Sequence, residues 1–549
     1  MRILFINSHA GTATLPLASA CLASVLENRF GPDVDCPIIE PAPGFSIRET
    51  AEEILSMKPD LIALTLYSWS RVNLLSLSDT LVESFGPNPP PIIAGGPEVT
   101  AEPLSIQNHP SIDLAISGEG ETAISEIVET LLPLPRENRP GALAGFQSPF
   151  SKPVTENLDN LPSPWLASAL NGRIYEDSVW ELTRGCPFNC HFCFESKGSG
   201  RVRHKSLSRA AEELKQLRQR RTGNVFILDP TFNASPERAK ELLRLFIAEA
   251  PELLYHMEVR TEFLDEEQAE LYAELGCTLQ IGLQTAHPDV ARNIGRPFSP
   301  ERFREKLLPL HEYGVPYGLD LIYGLPGDSL EGFRESLDFA LGCAPNHLDI
   351  FPLSVLPGTR LRETAGGLGL LYLKDTPYTV TGSNIENDNT GFSPEDLKRA
   401  AALTAAVNGL YNKGMAVPWF LLCSEALELR PVEIIESYLN REISDTETGR
   451  ESEQSADLGA FIRKLAVDTG FPAIGTILED IVVLLTVENA FRQGMPLPEY
   501  LDFTYNPSIL NEHLEMGIND IEELAFFVPE NKGTYHLSIR DQQVFFSIS

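Results

Sequence analysis

Two blocks of this sequence alternate short apolar runs with helix-forming segments, and this alternation constrains the fold more than any other feature. The runs of the first block are Arg2–Asn7, Leu61–Leu66, Ile92–Ala94 and Leu114–Ile116. The second block starts at Ser178 and repeats the alternation as far as Leu353. Apolar strands that alternate with helices are typical of parallel sheets covered on both faces. We therefore predict an α/β protein.

The two blocks predict two different parallel sheets. The first indicates a Rossmann-like doubly wound domain over residues 1–150, followed by a proline-rich linker over 151–175. The second has six strand–helix units, which predicts a (β/α)6 partial TIM barrel over residues 176–360.

The remainder, residues 361–549, is predicted to form a mostly helical accessory domain. Helical patterns cover residues 394–413, 424–441, 459–467 and 475–493, and the acidic stretch 442–455 is predicted to be a solvated loop. Two alternating runs at the C-terminus predict a β-hairpin.

Charge and composition exclude some classes of partner. The chain of 549 residues has a formal net charge of -34, so it offers no basic excess for nucleic acid or for an anionic membrane surface. No apolar run is long enough to form a transmembrane helix. Eight cysteines in a chain of this length, three of them clustered, favour a reducing cytoplasm.

The clustered cysteines follow the first strand of the second block, in the stretch Cys186-Pro-Phe-Asn-Cys190-His-Phe-Cys193. Three thiolates at this spacing suit a shared metal centre. A four-iron cluster held by three thiolates keeps one iron open for another ligand. Two alternatives stay open on the residues alone, namely a zinc site completed by His191 or His204, and core cysteines without a metal.

This stretch resembles the signature of the radical S-adenosylmethionine (SAM) superfamily, Cys-x3-Cys-x2-Cys with an aromatic residue before the last cysteine. Cys186, Cys190, Phe192 and Cys193 match every position. The resemblance implies that the cysteines hold a [4Fe-4S] cluster whose open iron binds SAM. It also implies that an electron from the cluster cleaves SAM to methionine and a 5′-deoxyadenosyl radical, and that the barrel has six units.

Polar residues at the strand ends of the barrel are the candidates for SAM contacts. The resemblance to superfamily segments points to Phe192, Asp229, Glu258, Gln284, Asp320 and Tyr323. The Gly-Gly-Glu-Pro motif that binds the amino group of SAM in many members is absent, and Asp229-Pro-Thr stands in its place. Glu258 could instead form a structural ion pair with Arg260.

The first block resembles the N-terminal domain of cobalamin-dependent radical SAM enzymes. Its loops lie where doubly wound sheets bind ligands, at the carboxyl ends of the strands. The resemblance implies cobalamin contacts from Asn7, Leu15, Tyr67, Ser68, Gly95, Gly96, Glu98, Gly118, Glu119 and Gly120. His9 lacks the Asp-x-His-x-x-Gly context of a cobalt ligand, and Gly95-Gly96 could alternatively be a simple turn.

Together these resemblances imply a cobalamin-dependent methyltransferase that acts on an unactivated carbon of a small molecule. An electron donor such as flavodoxin or ferredoxin is implied as a partner. The alternatives are a radical SAM reaction without methyl transfer, such as rearrangement, ring formation or aminocarboxypropyl transfer, and a cobalamin sensor with a structural cluster. The sequence assigns neither a catalytic residue nor the substrate.

Overall fold

The computed structural model describes residues 1–9, 15–167, 170, 175, 177–195, 201–220, 222–383, 391–413, 415–441, 451–518, 520–540 and 543–548, without the side chains of 451–456. Its contacts divide the chain into two compact units. The first comprises Met1–Gly282, Ala291–Pro316 and Leu353–Asn384, and the second comprises Leu283–Val290, Tyr317–Pro352 and Ile385–Ser549.

The N-terminal sheet has five parallel strands in the order β2-β1-β3-β4-β5. Its strands are β1 (Ile3–Ile6), β2 (Ile38–Ile39), β3 (Leu61–Thr65), β4 (Ile92–Gly95) and β5 (Leu114–Ala115). Its helices are α1 (Leu17–Phe30), α2 (Ile47–Met57), α3 (Arg71–Phe85), α4 (Pro97–Ala101), α5 (Pro103–Gln107), α6 (Glu121–Leu131) and α7 (Arg139–Leu143). Every residue of β1 and β3 is buried, which explains why both appear as uninterrupted apolar runs.

The second sheet has six strands in the order β13-β12-β11-β10-β9-β6. These strands are β6 (Asp177–Trp180), β9 (Asn224–Ile227), β10 (Leu254–Val259), β11 (Thr278–Gln284), β12 (Tyr317–Tyr323) and β13 (His347–Pro352). A short antiparallel pair, β7 (Thr183–Arg184) and β8 (Arg203–His204), flanks the cysteine loop. The structure confirms the predicted α/β class with a Rossmann-like sheet and a six-stranded partial barrel.

Helices connect the strands of the barrel. They are α8 (Leu207–Gln219), α9 (Pro236–Glu249), α10 (Glu266–Leu275), α11 (Pro288–Asn293), α12 (Pro300–Glu312) and α13 (Leu330–Leu341). Serine or aspartate side chains cap several of them; Asp265, for example, accepts from the backbone N–H of Gln268 at 2.9 Å. After β13 come α14 (Arg360–Thr364) and the antiparallel pair β14 (Leu370–Tyr372) and β15 (Val380–Ser383).

The C-terminal part combines helices with a small sheet. Its elements are α15 (Pro394–Val407), a π-helical turn (Asn408–Asn412), α16 (Phe420–Ala426), α17 (Pro431–Leu439), α18 (Glu451–Asp468), α19 (Gly475–Arg492), β16 (Tyr500–Tyr505), α20 (Pro507–Glu515), α21 (Ile521–Phe527), β17 (Glu530–Arg540) and β18 (Gln543–Ile548). The predicted hairpin is present as β17 and β18, and β16 extends it to three strands. None of the helices among the described residues is both long and apolar enough to cross a membrane.

Two helix predictions in this part need correction. The helix predicted over 424–441 is two helices, because Pro431 starts α17 after a break at Leu427–Arg430. The loop predicted over 442–455 lies outside the described residues as far as 450, but from Glu451 onward the backbone is helical in α18. The polar composition of this stretch concealed the first turns of a helix whose later turns carry the apolar face.

Candidate active site

The cysteine loop follows β6 and β7, at the carboxyl end of the first barrel strand. The turn that leads into it is held by Asp229, whose Oδ1 accepts from the backbone N–H groups of Leu182 and Thr183, both at 2.8 Å. Burial raises the pKa of Asp229 to about 6, although these hydrogen bonds act in the opposite direction. The structure thus gives Asp229, a predicted SAM contact, a role in shaping the loop.

None of the three cysteines forms a disulfide, and their thiols are close enough for their charges to interact. Burial raises the pKa of Cys193 to about 11, and the Cys190 thiol raises it further. In the described part of the chain, no three histidine, cysteine or carboxylate side chains already converge on one metal-binding point. The donor set nevertheless fits an iron–sulfur cluster, because three thiols in one eight-residue loop are the ligands that such clusters use.

The zinc alternative gains no support from the two histidines. The Nδ1 atom of His191 lies 2.9 Å from the carbonyl oxygen of Asn293, and the Nδ1 atom of His204 lies 3.0 Å from Oγ1 of Thr183. Each ring is therefore oriented by a protein partner of its own.

A segment of the fourth barrel unit, residues 293–296, packs directly against the cysteine loop. The backbone N–H of His191 donates to the carbonyl oxygen of Ile294 at 2.8 Å. Gly295 has φ +69°, and a β-carbon there would lie 2.7 Å from the carbonyl oxygen of Asn189. Only glycine fits this close approach without displacing the loop.

Arg296, at the end of this segment, is a site residue that sequence reasoning missed. Its Nη2 donates to the carbonyl oxygen of Gly282 at 2.6 Å, and its guanidinium also hydrogen-bonds the Cys190 thiol. A second cation, Arg260, lies 3.8 Å from the ring centroid of Phe188 in the same loop. Two positive charges therefore face the loop that carries the thiols.

Glu258 lies on β10, on the less buried of the two faces of that strand. Desolvation raises its pKa, the charge of Glu195 raises it further, and the charge of Arg296 lowers it. Arg260 pairs instead with Glu262, so the predicted alternative of a Glu258–Arg260 pair is not what the structure shows. Glu258 remains available for a ligand.

Three other predicted SAM contacts, Gln284, Asp320 and Tyr323, differ in their burial and in their protein partners. Gln284 ends β11 with φ +64°, is 8% exposed, and has a buried Oε1 with no hydrogen-bond partner among the described residues. Tyr323 packs on Phe333 with ring centroids 5.6 Å apart, and Asp320 is half-buried on β12. A buried amide oxygen without a partner is costly unless a ligand supplies a donor.

The carboxyl ends of β1 and β3 carry an aromatic platform. Tyr67 and Trp69 stack with ring centroids 4.5 Å apart and planes 4° apart, and Nε1 of Trp69 donates to the carbonyl oxygen of Ser8 at 3.0 Å. Trp69 is 52% exposed, so a flat apolar surface faces outward at the ligand-binding edge. Asn7 and Leu15 are buried beneath this edge, and Ser68 is half-buried.

The glycine pair after β4 divides into two unlike positions. Gly96 has φ +109°, and a β-carbon there would lie 2.7 Å from the carbonyl oxygen of Leu66. At Gly95 the nearest atom would be 3.9 Å away. Glu98, two residues further on, is buried and accepts hydrogen bonds from Tyr378 and Arg71.

The fourth predicted cobalamin loop, Gly118-Glu119-Gly120-Glu121, contacts the start of the barrel. Arg184 pairs with Glu121 at 2.7 Å and with Glu119 at 3.3 Å, and Arg203 pairs with Glu119 as well. Burial acts to raise the pKa of Glu119, but the hydrogen bond from Arg203 and the charges of both arginines bring it below its ordinary value. These carboxylates therefore hold two parts of the first unit together.

Two family models match this chain. The model of the radical SAM superfamily matches residues 180–340, and the model of the B12 binding domain matches residues 3–128. The two matches fall on the barrel and on the N-terminal sheet respectively.

Curated relatives are identical to the chain at about a quarter of the aligned residues. An uncharacterized methyltransferase of Pyrococcus horikoshii is 26% identical over 386 residues, covering 67% of this chain and 82% of the relative. The cobalamin-dependent radical SAM methyltransferase TokK of Streptomyces tokunonensis is 26% identical over 381 residues, covering 63% of this chain and 54% of TokK. The chain therefore spans about half the length of TokK.

Solved structures share the fold. The cobalamin-dependent SAM radical enzyme OxsB, with aqua-cobalamin and SAM bound, has a TM-score of 0.59 at 13% identity and covers 96% of this chain and 83% of its own. The methyltransferase TsrM from Kitasatospora setae has a TM-score of 0.53 at 16% identity and covers 68% and 77%. In its two matched domains and in its fold, this chain is thus similar to cobalamin-dependent radical SAM enzymes.

Proposed function

We propose that this protein is a methyltransferase that uses a [4Fe-4S] cluster, SAM and cobalamin to methylate an unactivated carbon of a small molecule. The observation that carries the proposal is that one compact unit joins the cysteine loop to the predicted cobalamin loops. Gly358 lies between the two parts, because a β-carbon there would be 2.9 Å from Phe194, next to the cysteine loop, and 3.2 Å from Ala101 of α4. A reaction that needs both cofactors requires such proximity.

Cys186, Cys190 and Cys193 are the proposed cluster ligands. When bound, the cluster would supply the electron that cleaves SAM, and cobalamin would supply the methyl group. The chain's own part is to shape the loop through Asp229, to place Arg296 beside Cys190, and to exclude water.

The proposed SAM contacts are Phe192, Glu258, Gln284, Asp320 and Tyr323. Gln284 has the clearest structural support, because its unpartnered buried Oε1 would accept a hydrogen bond from a ligand hydroxyl or amine. Asp229 is proposed to act on SAM indirectly, through the loop it holds.

For cobalamin, the proposed surface is the edge formed by Asn7, Leu15, Tyr67, Ser68, Gly95, Gly96 and Gly118. The exposed platform of Tyr67 and Trp69 suits a broad, flat ring such as a corrin. Trp69 is an addition to the residues expected from the sequence. Glu98 and Glu119 contribute by fixing the loops, since their carboxylates are already paired.

The proposed partners are a small-molecule substrate and a one-electron donor such as flavodoxin or ferredoxin. A reducing compartment, the cytoplasm, is proposed as the location because the thiols must stay reduced to bind iron.

The proposal is tested by anaerobic reconstitution of the full chain with iron and sulfide, followed by SAM and dithionite. Wild-type protein is expected to take up a four-iron cluster and release 5′-deoxyadenosine, and Cys186→Ala, Cys190→Ala and Cys193→Ala are expected to lose both. Cys277→Ala, a buried cysteine elsewhere in the barrel, serves as the matched control and should keep both.

Three outcomes would contradict parts of the proposal. A cluster that forms without SAM cleavage would favour a cobalamin sensor. SAM cleavage without S-adenosylhomocysteine or methylated product, in assays supplied with candidate substrates and cobalamin, would favour a non-methylating radical reaction. Full activity in the cysteine variants would remove the cluster assignment.

A further inference from the structure

Four side chains form a partly buried hydrogen-bonded group, the Glu98 network, made of Arg71, Glu98, Glu102 and Tyr378. The Tyr378 hydroxyl donates to Oε2 of Glu98 at 2.7 Å, and Nη1 of Arg71 donates to the same oxygen at 2.9 Å. Nη1 of Arg71 also lies 2.8 Å from the Tyr378 oxygen and 2.8 Å from Oε2 of Glu102. Glu98 is 5% exposed and Tyr378 is 1% exposed, so water screens these bonds very little.

Tyr378 is fixed by its own surroundings. Its residue has φ +58°, in the turn between β14 and β15. Its carbonyl oxygen accepts from the backbone N–H of Val355 at 2.9 Å, which ties the turn to the segment that leaves the last barrel strand. A buried bulky residue held at positive φ indicates that the surrounding contacts determine its position.

Glu98, which accepts the hydrogen bond from Tyr378, lies in the first turn of α4. This helix begins at the carboxyl end of β4, immediately after Gly96, whose close approach to Leu66 fixes the loop on the N-terminal side. At its other end, Ala101 packs against Gly358, which also contacts Phe194 next to the cysteine loop. The Glu98 network thus joins the glycine loop to the segment that follows the barrel.

The Tyr378 hydroxyl is in the protonation state that this bond needs. Burial raises the pKa of Tyr378, and its hydrogen bond to Glu98 raises it further, so the hydroxyl keeps its proton and can donate. A hydrogen bond to a carboxylate in a buried site is stronger and more directional than one between neutral groups.

We propose that Tyr378 is a positioning residue, which acts through Glu98 to hold helix α4 and the Gly95-Gly96 turn before it at the place where cobalamin must sit relative to the cysteine loop. The inference rests on the proposed function for the identity of the cofactor, but the contact itself belongs to the chain alone. It gives Glu98 a role different from the direct cobalamin contact implied by family resemblance.

The test compares Tyr378→Phe with Tyr372→Phe, a matched control in the same hairpin whose ring lies near Arg362 and outside the Glu98 network. Hydroxocobalamin is titrated into each reconstituted full-length protein, and amide hydrogen exchange over residues 97–107 is measured without cobalamin. Tyr378→Phe is expected to bind about tenfold more weakly and to exchange faster over 97–107, while cluster content stays unchanged. Tyr372→Phe is expected to match wild type in all three measurements.

A double-mutant cycle separates positioning from general destabilisation. If Tyr378 acts through Glu98, then Tyr378→Phe, Glu98→Ala and the double variant lose similar affinity, because each breaks the same link. Losses that simply add, or wild-type affinity and exchange in Tyr378→Phe, overturn the inference. If Tyr378→Phe folds poorly, Glu98→Gln removes the charge while keeping an acceptor; weaker binding supports the inference and unchanged binding overturns it.

If the proposed function is wrong, the same experiments give a result that differs from failure of the positioning role. Wild-type protein that binds no hydroxocobalamin removes the cofactor from the proposal, whereas hydrogen exchange in the cofactor-free variants still decides whether Tyr378 holds helix α4.

Discussion

Side chains that act on the cysteine loop come from several different barrel units. Asp229 follows the second strand, Arg260 the third and Arg296 the fourth, yet each contacts residues 182–190. Arg296 matters most for the proposed chemistry, because cations and hydrogen bonds near the sulfurs of the proposed cluster would set its reduction potential.

Replacing Arg296 with methionine is therefore expected to shift the cluster potential to more negative values. The reduced cluster gains negative charge, so removing a nearby cation and an N–H donor disfavours reduction. The measurement is a potentiometric titration followed by EPR on the reconstituted protein. Arg292→Met, an exposed arginine on α11, is the control, and equal potentials in both variants would contradict the role given to Arg296.

For single residues, the sequence predicted candidate site residues better than it predicted which groups those residues contact. The three cysteines and Gln284 are proposed as site residues from short motifs, which can be read because they are local in the sequence. Glu98 and Asp229 were expected to face ligands, but their partners Tyr378, Leu182 and Thr183 lie far away along the chain, and no local pattern reveals such pairs. Arg296 left one signal, the turn Asn293-Ile-Gly-Arg296 directly after α11.

At the level of secondary structure, two adjacent glycines at the end of β4 differ in how closely the surrounding backbone approaches them. Gly95 and Gly96 are adjacent in sequence, but only Gly96 combines a positive φ with a backbone atom where a side chain would begin. The close approach at Gly96 is to the backbone of the chain itself, so it agrees with the simple-turn alternative for this pair.

Gly96→Ala is expected to destabilise the loop by about 1–3 kcal/mol, the usual cost of a strained backbone position. Gly95→Ala should leave the thermal midpoint nearly unchanged, since its β-carbon meets no protein atom closer than 3.9 Å. Thermal midpoints of the two variants provide the measurement. Similar losses in both would show that the loop tolerates no side chain for some reason other than this contact.

Long elements were easier to predict than short ones. Strands β11 and β12, which belong to the predicted strand–helix units, each have seven residues with apolar side chains at alternate positions, a pattern long enough to detect. The two residues of β2 leave no period to detect, and α4 and α5 were missed because each has five residues. The start of α18 was missed because its first turn is polar.

For the whole molecule, several buried carboxyls couple stability to pH. Burial raises the pKa of Asp480 to about 7, despite hydrogen bonds from the backbone N–H groups of Tyr505 and Thr504 at 2.7 and 2.8 Å. Burial also raises the pKa values of Asp229 and Asp328 to about 6. Between the unfolded pKa, near 4, and these folded values, the folded protein binds more protons, so its stability falls as pH rises.

Asp480→Asn is expected to flatten this dependence between pH 5 and pH 8, because asparagine stays neutral and still accepts both backbone hydrogen bonds. Each pKa unit corresponds to about 1.4 kcal/mol, so the effect amounts to a few kcal/mol at most. Thermal midpoints across that range test it, with the exposed Asp502→Asn as control. Curves that run parallel for wild type and Asp480→Asn would rule out the coupling.

The ion pairs between the Gly118–Glu121 loop and the barrel limit how this enzyme can be engineered. A chimaera that exchanges residues 1–150 for those of another enzyme would leave Arg184 and Arg203 without Glu119 and Glu121, and Tyr378 without Glu98. The buried Arg203, stripped of Glu119, would then oppose assembly of the hybrid, whereas the half-buried Arg184 would retain its pair with Glu181. Grafting of a foreign cobalamin module should therefore transplant the matching cations and the tyrosine along with it.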